Sequence, residues 1–153
     1  MSFEEFLAFV HIVASIVWVG GAIGFEFTAH GAMKRGGDEG MKLLARDADR
    51  IGRLFGLSSA LVLAFGIWAV ADRSYYSFSD TWIWLSLVIT GLLFLMGPLF
   101  FLPNSAKLVA ESETKGGSHP EVMARAKRVL NVAHLDSVAA LFVVYLMVAK
   151  PGA

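Results

Sequence analysis

Six ionisable side chains interrupt long apolar stretches of this chain. They are His11, Glu26, His30, Arg53, His134 and Asp136. An ionisable group at membrane depth is costly, and it suggests by default that the residue holds a cofactor, a substrate or a proton. Neutral imidazole is the commonest protein ligand for metals, whereas a carboxylate beside a guanidinium can simply tie two helices together. The residue types therefore indicate two kinds of chemistry, a metal or cofactor site and buried ion pairs.

The composition places these residues in a membrane protein. Of 153 residues, 56% are hydrophobic, 17% are charged and none is cysteine. A soluble chain of this size has too little interior to hide so much apolar surface from water. Lys plus Arg equals Asp plus Glu at 13 each, so no global charge attracts nucleic acid, and a disulfide scaffold is excluded. We expect the lipid bilayer to be the partner of this chain and nucleic acid not to be.

Four apolar segments are long enough to cross a hydrocarbon layer of about 30 Å, which takes about 20 helical residues. They cover approximately residues 6–29, 51–71, 82–102 and 129–149. Hydrocarbon offers the backbone no hydrogen-bond partner, so each segment must be a helix. Glu4 and Glu5 stand where a signal peptide would have basic residues, so we expect the first segment to be retained. The prediction is an all-α, integral membrane four-helix bundle, with residues 1–153 as one transmembrane domain.

The distribution of Lys and Arg predicts the orientation of the bundle. Eleven of the 13 lie in or beside the connections between the first and second spans and between the third and fourth. Only Arg73 and Lys150 lie on the other side. Because cytoplasmic loops carry the excess of positive charge, both termini are predicted outside, an N-out/C-out arrangement.

Local signals predict where the helices begin and bend. The helical spacing of apolar residues predicts that the second helix begins near Asp38, and Asp80 is a candidate N-cap for the third helix. Ser118 and Glu121 have the spacing of a capping box, which would start the fourth helix well before its apolar segment. The Gly97–Pro98 pair should kink the third span, because proline removes a helix hydrogen bond.

Depth and helical phase predict which polar residues can meet. His11 and Glu26 are 15 residues apart on one helix face, about 22 Å along the axis, so one small ligand cannot touch both. His134 and Asp136 point to nearly opposite faces of the fourth helix. We expect Arg53 to pair with Asp136, with Glu26 as the competing partner. His30 lies one turn after Glu26, near the edge of the membrane.

His11 allows two interpretations. It is either a neutral histidine hydrogen-bonded between helices, or a ligand to heme iron or another metal. Trp18 lies on the same face of the first helix, at a depth where a tryptophan has no interfacial role. No hydrolase, nucleotide-binding or paired metal-ligand motif accompanies them, so enzymatic activity is left open.

Two pairs of small residues predict close helix contacts. They are Gly20 with Gly24 and Gly52 with Gly56. Such pairs let membrane helices approach closely. Either pair could receive a neighbour within the bundle or a second copy in a homo-oligomer.

The string from His11 to Gly21, with Trp18 seven residues after the histidine, resembles the opening helix of CopD-like and HemJ-like membrane proteins. The whole chain is similar to a four-span bacterial integral membrane family, domain of unknown function 2269. That similarity is carried by residues 46–53, 66–68, 78–82, 134–136 and 150–152. The HemJ resemblance implies heme b and the CopD resemblance implies copper, while the bacterial family implies the inner (cytoplasmic) membrane.

Three functional hypotheses follow. The leading one is heme b bound through His11, with a redox or electron-transfer role, Trp18 beside it and Tyr145 as a candidate second ligand. Met147, water or a second protomer could replace Tyr145 as that ligand. The alternative is a non-enzymatic membrane transport or structural subunit, in which the polar residues are packing bonds. The third is a copper-handling membrane protein.

Overall fold

The computed structural model describes residues 1–72 and 76–151, and this part of the chain is built from four long helices without any strand. The helices are α1 (Phe3–Arg35), α2 (Gly37–Asp72), α3 (Thr81–Lys115) and α4 (Pro120–Ala149). Each is long and apolar enough to cross a membrane, and each predicted span lies inside one helix. The predicted all-α membrane bundle is confirmed.

The helices form an antiparallel ring in which each packs against the next, and α4 returns to pack against α1. Only Gly36 separates α1 from α2, and residues 116–119 join α3 to α4 at the same end. We call this end, which carries most of the Lys and Arg residues, the basic end. The helices have 30 to 36 residues each. At 1.5 Å per residue they reach about 45–54 Å, well beyond a hydrocarbon layer.

The excess length lies at the basic end, where the connections predicted from the sequence are mostly helical. A buried apolar cluster from all four helices fills this end, and it includes Ala29, Met41, Leu108 and Val122. Ion pairs between helices surround it: Arg46 with Glu113, Arg125 with Glu111, and Lys115 with Glu121. At this end the hydrophobic effect can bury apolar side chains, because the helices extend into water. Within the membrane it cannot, because lipid tails are themselves apolar.

The start of α4 differs from the predicted capping box. His119 is the N-cap, and its ring Nδ1 accepts the backbone N–H of Glu121 at 3.3 Å. The backbone N–H of Ser118 donates instead to Oδ1 of Asp38 on α2, at 3.1 Å. The prediction of a Ser118–Glu121 box was therefore wrong, because the connection is tied to α2 and α4 begins one residue later.

Other helix ends follow local signals. Ser2 and Glu5 form a reciprocal capping box at the start of α1, which the same S-x-x-E pattern could have predicted. Asp80 is the N-cap residue of α3, as expected, although its carboxylate accepts from the Ser77 N–H rather than from the helix.

Two segments of π-helix interrupt the regular helices. One spans Ile16–Gly20 in α1, and the other spans Gly97–Phe101 in α3. The second occurs where the Gly97–Pro98 pair predicted a kink, since Pro98 cannot donate a helix hydrogen bond. Such π-segments occur frequently at functional sites.

Candidate functional site

A cavity of about 130 Å³ lies inside the bundle and is lined by residues of all four helices. It extends from Trp18, in the π-segment of α1, to Leu108 and Ala126 of the basic-end cluster. Aromatic side chains form much of its wall: Trp18, Phe25, Phe55, Phe94 and Phe101. The cavity is therefore apolar and aromatic, and both π-segments contribute to its lining.

Glycines keep this cavity open. Gly52, Gly56 and Gly97 line it, and a Cβ built on any of them would meet no atom within 4 Å. Gly52 and Gly56 are one of the two predicted small-residue pairs; they face the cavity, so the close helix contact predicted for them was wrong. The other pair, Gly20 and Gly24, is exposed on the outside, also with open space beside it. Of the two pairs, only the outer one remains a candidate face for a homo-oligomer.

Glu26 is the buried carboxylate of the cavity. Its residue is 8% exposed, and it reaches from α1 toward α4. The hydroxyl of Ser137 donates to its Oε1, and Nδ1 of His134 lies 3.2 Å from its Oε2. His134 approaches from the outside of the bundle, where its side chain is 69% exposed. Glu26 is thus held by two hydrogen bonds that join α1 to α4.

Ser137 is a site residue that the sequence reasoning missed. The hydroxyl of a serine in a membrane helix commonly donates its hydrogen bond to a backbone carbonyl one turn earlier, as that of Ser86 does to Trp82 at 2.6 Å. The available signal was its position three residues after His134, which places both side chains on one face of α4.

Asp136 is the second carboxylate that lines the cavity. Its Oδ1 is buried and has no hydrogen-bond partner among the residues that the structure describes. The predicted partner, Arg53, lies elsewhere: its side chain is 73% exposed and pairs with Asp49 at 2.9 Å. The expected Arg53 ion pair with Asp136 or Glu26 was wrong, because Asp49 lies one turn earlier on α2 and pairs with Arg53 without burying a guanidinium.

The described lining of the cavity contains these two carboxylates and no Lys, Arg or His side chain. Two negative charges in one apolar space disfavour each other, and low polarity around them disfavours both. A proton or a bound cation relieves this cost. The arrangement is therefore suited to holding positive charge inside the membrane-spanning bundle.

Residues 5–151 match the family model described as "Predicted integral membrane protein (DUF2269)". The chain belongs to this family. No curated protein and no solved structure gives a match. Membership of the DUF2269 family agrees with the four spanning helices and confirms the family predicted from the sequence.

His11 lies outside the cavity lining of this DUF2269 chain, between α1 and α2. Its Nδ1 is 2.9 Å from the backbone oxygen of Val62, so the interhelical hydrogen bond that was one of the two expectations is present. A carbonyl oxygen can only accept, so Nδ1 carries the proton and Nε2 of a neutral ring keeps its lone pair. The ring packs on Gly66, where an added Cβ would stand 3.0 Å from Cε1. Metal ligation through Nε2 stays a prediction.

The remaining predicted site residues are dispersed. Trp18 is buried and lines the cavity, whereas Tyr145 is 60% exposed and stacks on Phe142. His30 is exposed, and its Nδ1 lies 3.1 Å from the backbone oxygen of Glu26. Across residues 1–72 and 76–151, no group of three or more His, Cys, Asp or Glu side chains could hold a metal ion. The site that the structure assembles is instead the carboxylate cavity.

Proposed function

We propose that this protein is a non-enzymatic membrane transport protein, or a transport subunit, that binds a positively charged solute between Glu26 and Asp136. One observation carries the proposal: two carboxylates line an apolar cavity, and none of its lining residues in the described chain is Lys, Arg or His. Ionisable residues inside membrane proteins mark substrate and ion pathways or proton relays. Glu26 is bonded to His134 and Ser137, whereas the buried Oδ1 of Asp136 has no partner in the described chain.

The two carboxylates have different roles in this proposal. Glu26 already accepts from Ser137 and is joined to His134, so its position is set by α4. Asp136 has a buried oxygen without a partner in the described chain, and it is the group free to accept from a solute. Glu26 contributes charge, and Asp136 contributes the direct contact.

Trp18 separates the cavity from the far side of the bundle. It is buried against Ala14 and Val62 and belongs to the π-segment Ile16–Gly20. A solute in the cavity would have to pass this side chain to reach the far side of the bundle. We infer that Trp18 is a gate at the end of the cavity away from the basic end, and that the π-segment containing it allows the ring to move.

Calorimetric titration of the detergent-purified protein with sodium, tetramethylammonium and benzylammonium chlorides tests the proposal. At least one cation should bind, and Asp136→Asn should weaken its binding at least tenfold. Asp49→Asn, which removes a partly buried carboxylate that pairs with Arg53 and does not line the cavity, is the matched control and should bind like the wild type. The proposal fails if none of the three cations binds, or if both variants bind alike.

Heme b at His11, with a redox role, is the second candidate. The observation in its favour is the Nδ1–H bond to the Val62 carbonyl, because metal-ligating histidines commonly donate their other ring nitrogen in this way. His11 would hold the iron, and the heme would supply electron transfer. Protein from heme-sufficient cells should then show a Soret band that His11→Ala abolishes and His30→Ala retains. A colourless protein that takes up no added heme would end this candidacy.

We further propose that the bundle lies in a bacterial inner membrane with the basic end in the cytoplasm. The concentration of Lys and Arg at that end supports this orientation. The cavity, which reaches the basic-end cluster, would then lie on the cytoplasmic side of Trp18.

A further inference from the structure

We infer that the solute is a small organic ammonium ion carrying about one ring, rather than an inorganic cation. This inference rests on the proposed function, that the cavity takes up positive charge. It adds the chemical class of the solute, argued from the wall, the size and the hydrogen-bonding capacity of the cavity.

The wall of the cavity suits an organic cation. Five aromatic side chains line it, and aromatic faces attract ammonium groups, an interaction worth about 2 kcal/mol or more where water is excluded. A carboxylate beside aromatic faces can therefore recognise both the charge of an amine and its carbon substituents.

The size of the cavity points the same way. Its volume is about 130 Å³. An apolar protein cavity of about 150 Å³ can accommodate benzene. The space is therefore close to that of a single ring, and it is far larger than a dehydrated metal ion requires.

The oxygen atoms available are too few for a hard metal ion. Calcium takes about 6–8 oxygen ligands, and magnesium takes an octahedral set. The only hydroxyls in the described lining, those of Ser59 and Ser105, donate to the carbonyls of Gly56 and Leu102 in their own helices, so each adds at most one oxygen ligand. An alkylammonium has only three N–H donors to satisfy. The unpartnered oxygen of Asp136 is suited to that smaller demand, and Glu26 adds negative charge beside it.

Calorimetry with three probes of matched shape tests the inference: benzylammonium, benzyl alcohol and toluene. Benzylammonium should bind at least tenfold more tightly than either neutral probe, and Asp136→Asn should remove that preference. A naphthylmethylammonium ion should bind at least tenfold more weakly than benzylammonium to the wild-type protein, because two fused rings exceed the cavity. This size comparison needs no variant, so it holds even where a variant fails to fold.

Gly56→Ala gives a structural check, because its Cβ would project into the cavity. It should weaken benzylammonium binding at least fivefold. Gly24→Ala adds the same methyl group to the outside of the bundle and should leave binding unchanged.

The outcomes separate this inference from the proposed function. Sodium binding that depends on Asp136, without benzylammonium binding, would overturn the organic-cation inference and keep the proposed function. Equal binding of benzylammonium and benzyl alcohol, with no cation dependent on Asp136, would overturn both. Strong binding of the naphthyl compound would refute the size argument and with it the one-ring class.

Discussion

Removing the hydroxyl of Ser137 should weaken the attachment of α1 to α4. This hydroxyl donates to Glu26 across the interface, in a site where both residues are at least 90% buried. Ser137→Ala deletes the donor and leaves one carboxylate oxygen without its partner. The change removes only one oxygen atom, so the packing of the helices is otherwise preserved.

The expected loss follows from the charge and the location of the bond. Side-chain hydrogen bonds between membrane helices contribute about 0.6 kcal/mol on average and reach about 1.7. Bonds to charged groups in proteins are worth about 1.5–3 kcal/mol. Because Glu26 is a carboxylate, we expect Ser137→Ala to cost about 1.5 kcal/mol, roughly a tenfold change in the unfolding equilibrium.

Reversible unfolding in mixed detergent micelles, followed by helical circular dichroism, measures this loss. Ser86→Ala is the matched control, because Ser86 is equally buried and its hydroxyl donates only within its own helix. The control should lose less than about 0.5 kcal/mol, since it breaks no interhelical bond.

A double-mutant cycle with Glu26→Met decides the cause. In that background the acceptor is absent, so Ser137→Ala should cost almost nothing further. Equal losses for Ser137→Ala with and without Glu26 would refute the bond. A loss for Ser86→Ala as large as that for Ser137→Ala would show that burial alone, and not the interhelical contact, sets the effect.

Three further outcomes test the basic end and the orientation. Gly117→Ala should destabilise the bundle by about 1–3 kcal/mol in thermal unfolding, because its Cβ would lie 2.3 Å from an α2 carbonyl oxygen, whereas Gly40→Ala has open space and should not. Arg125→Lys should lower the melting temperature, since lysine cannot reproduce the paired contacts of Arg125 with Glu111 at 2.8 and 2.9 Å, but by less than Gly117→Ala does. An unchanged melting temperature would show that these contacts do not stabilise the bundle. Single cysteines at Ser77 and Ser118 should label with an impermeant thiol reagent only at Ser77 on intact spheroplasts, and the reverse pattern would invert the orientation.

The sequence by itself determined the features that depend on neighbouring residues along the chain. Four apolar segments predict four helices, because lipid leaves the backbone no other way to satisfy its hydrogen bonds. The N-cap position of Asp80 and the irregular segment at Gly97–Pro98 are also local, since capping and proline effects act within one turn. The sequence also identifies Glu26 as a costly intramembrane charge, because its neighbours along the chain are apolar.

Only the tertiary structure decided which of these groups meet. Arg53 could reach a carboxylate on its own helix or on another, and the rotation of α2 about its axis left it outside with Asp49. The two glycine pairs are indistinguishable as patterns, yet Gly52 and Gly56 line the cavity while the other pair faces outward. In lipid, apolar periodicity does not mark the interior face of a helix as it does in water, so packing and hydrogen bonding set these rotations. The cavity that joins Glu26 to Asp136 is a consequence of those rotations.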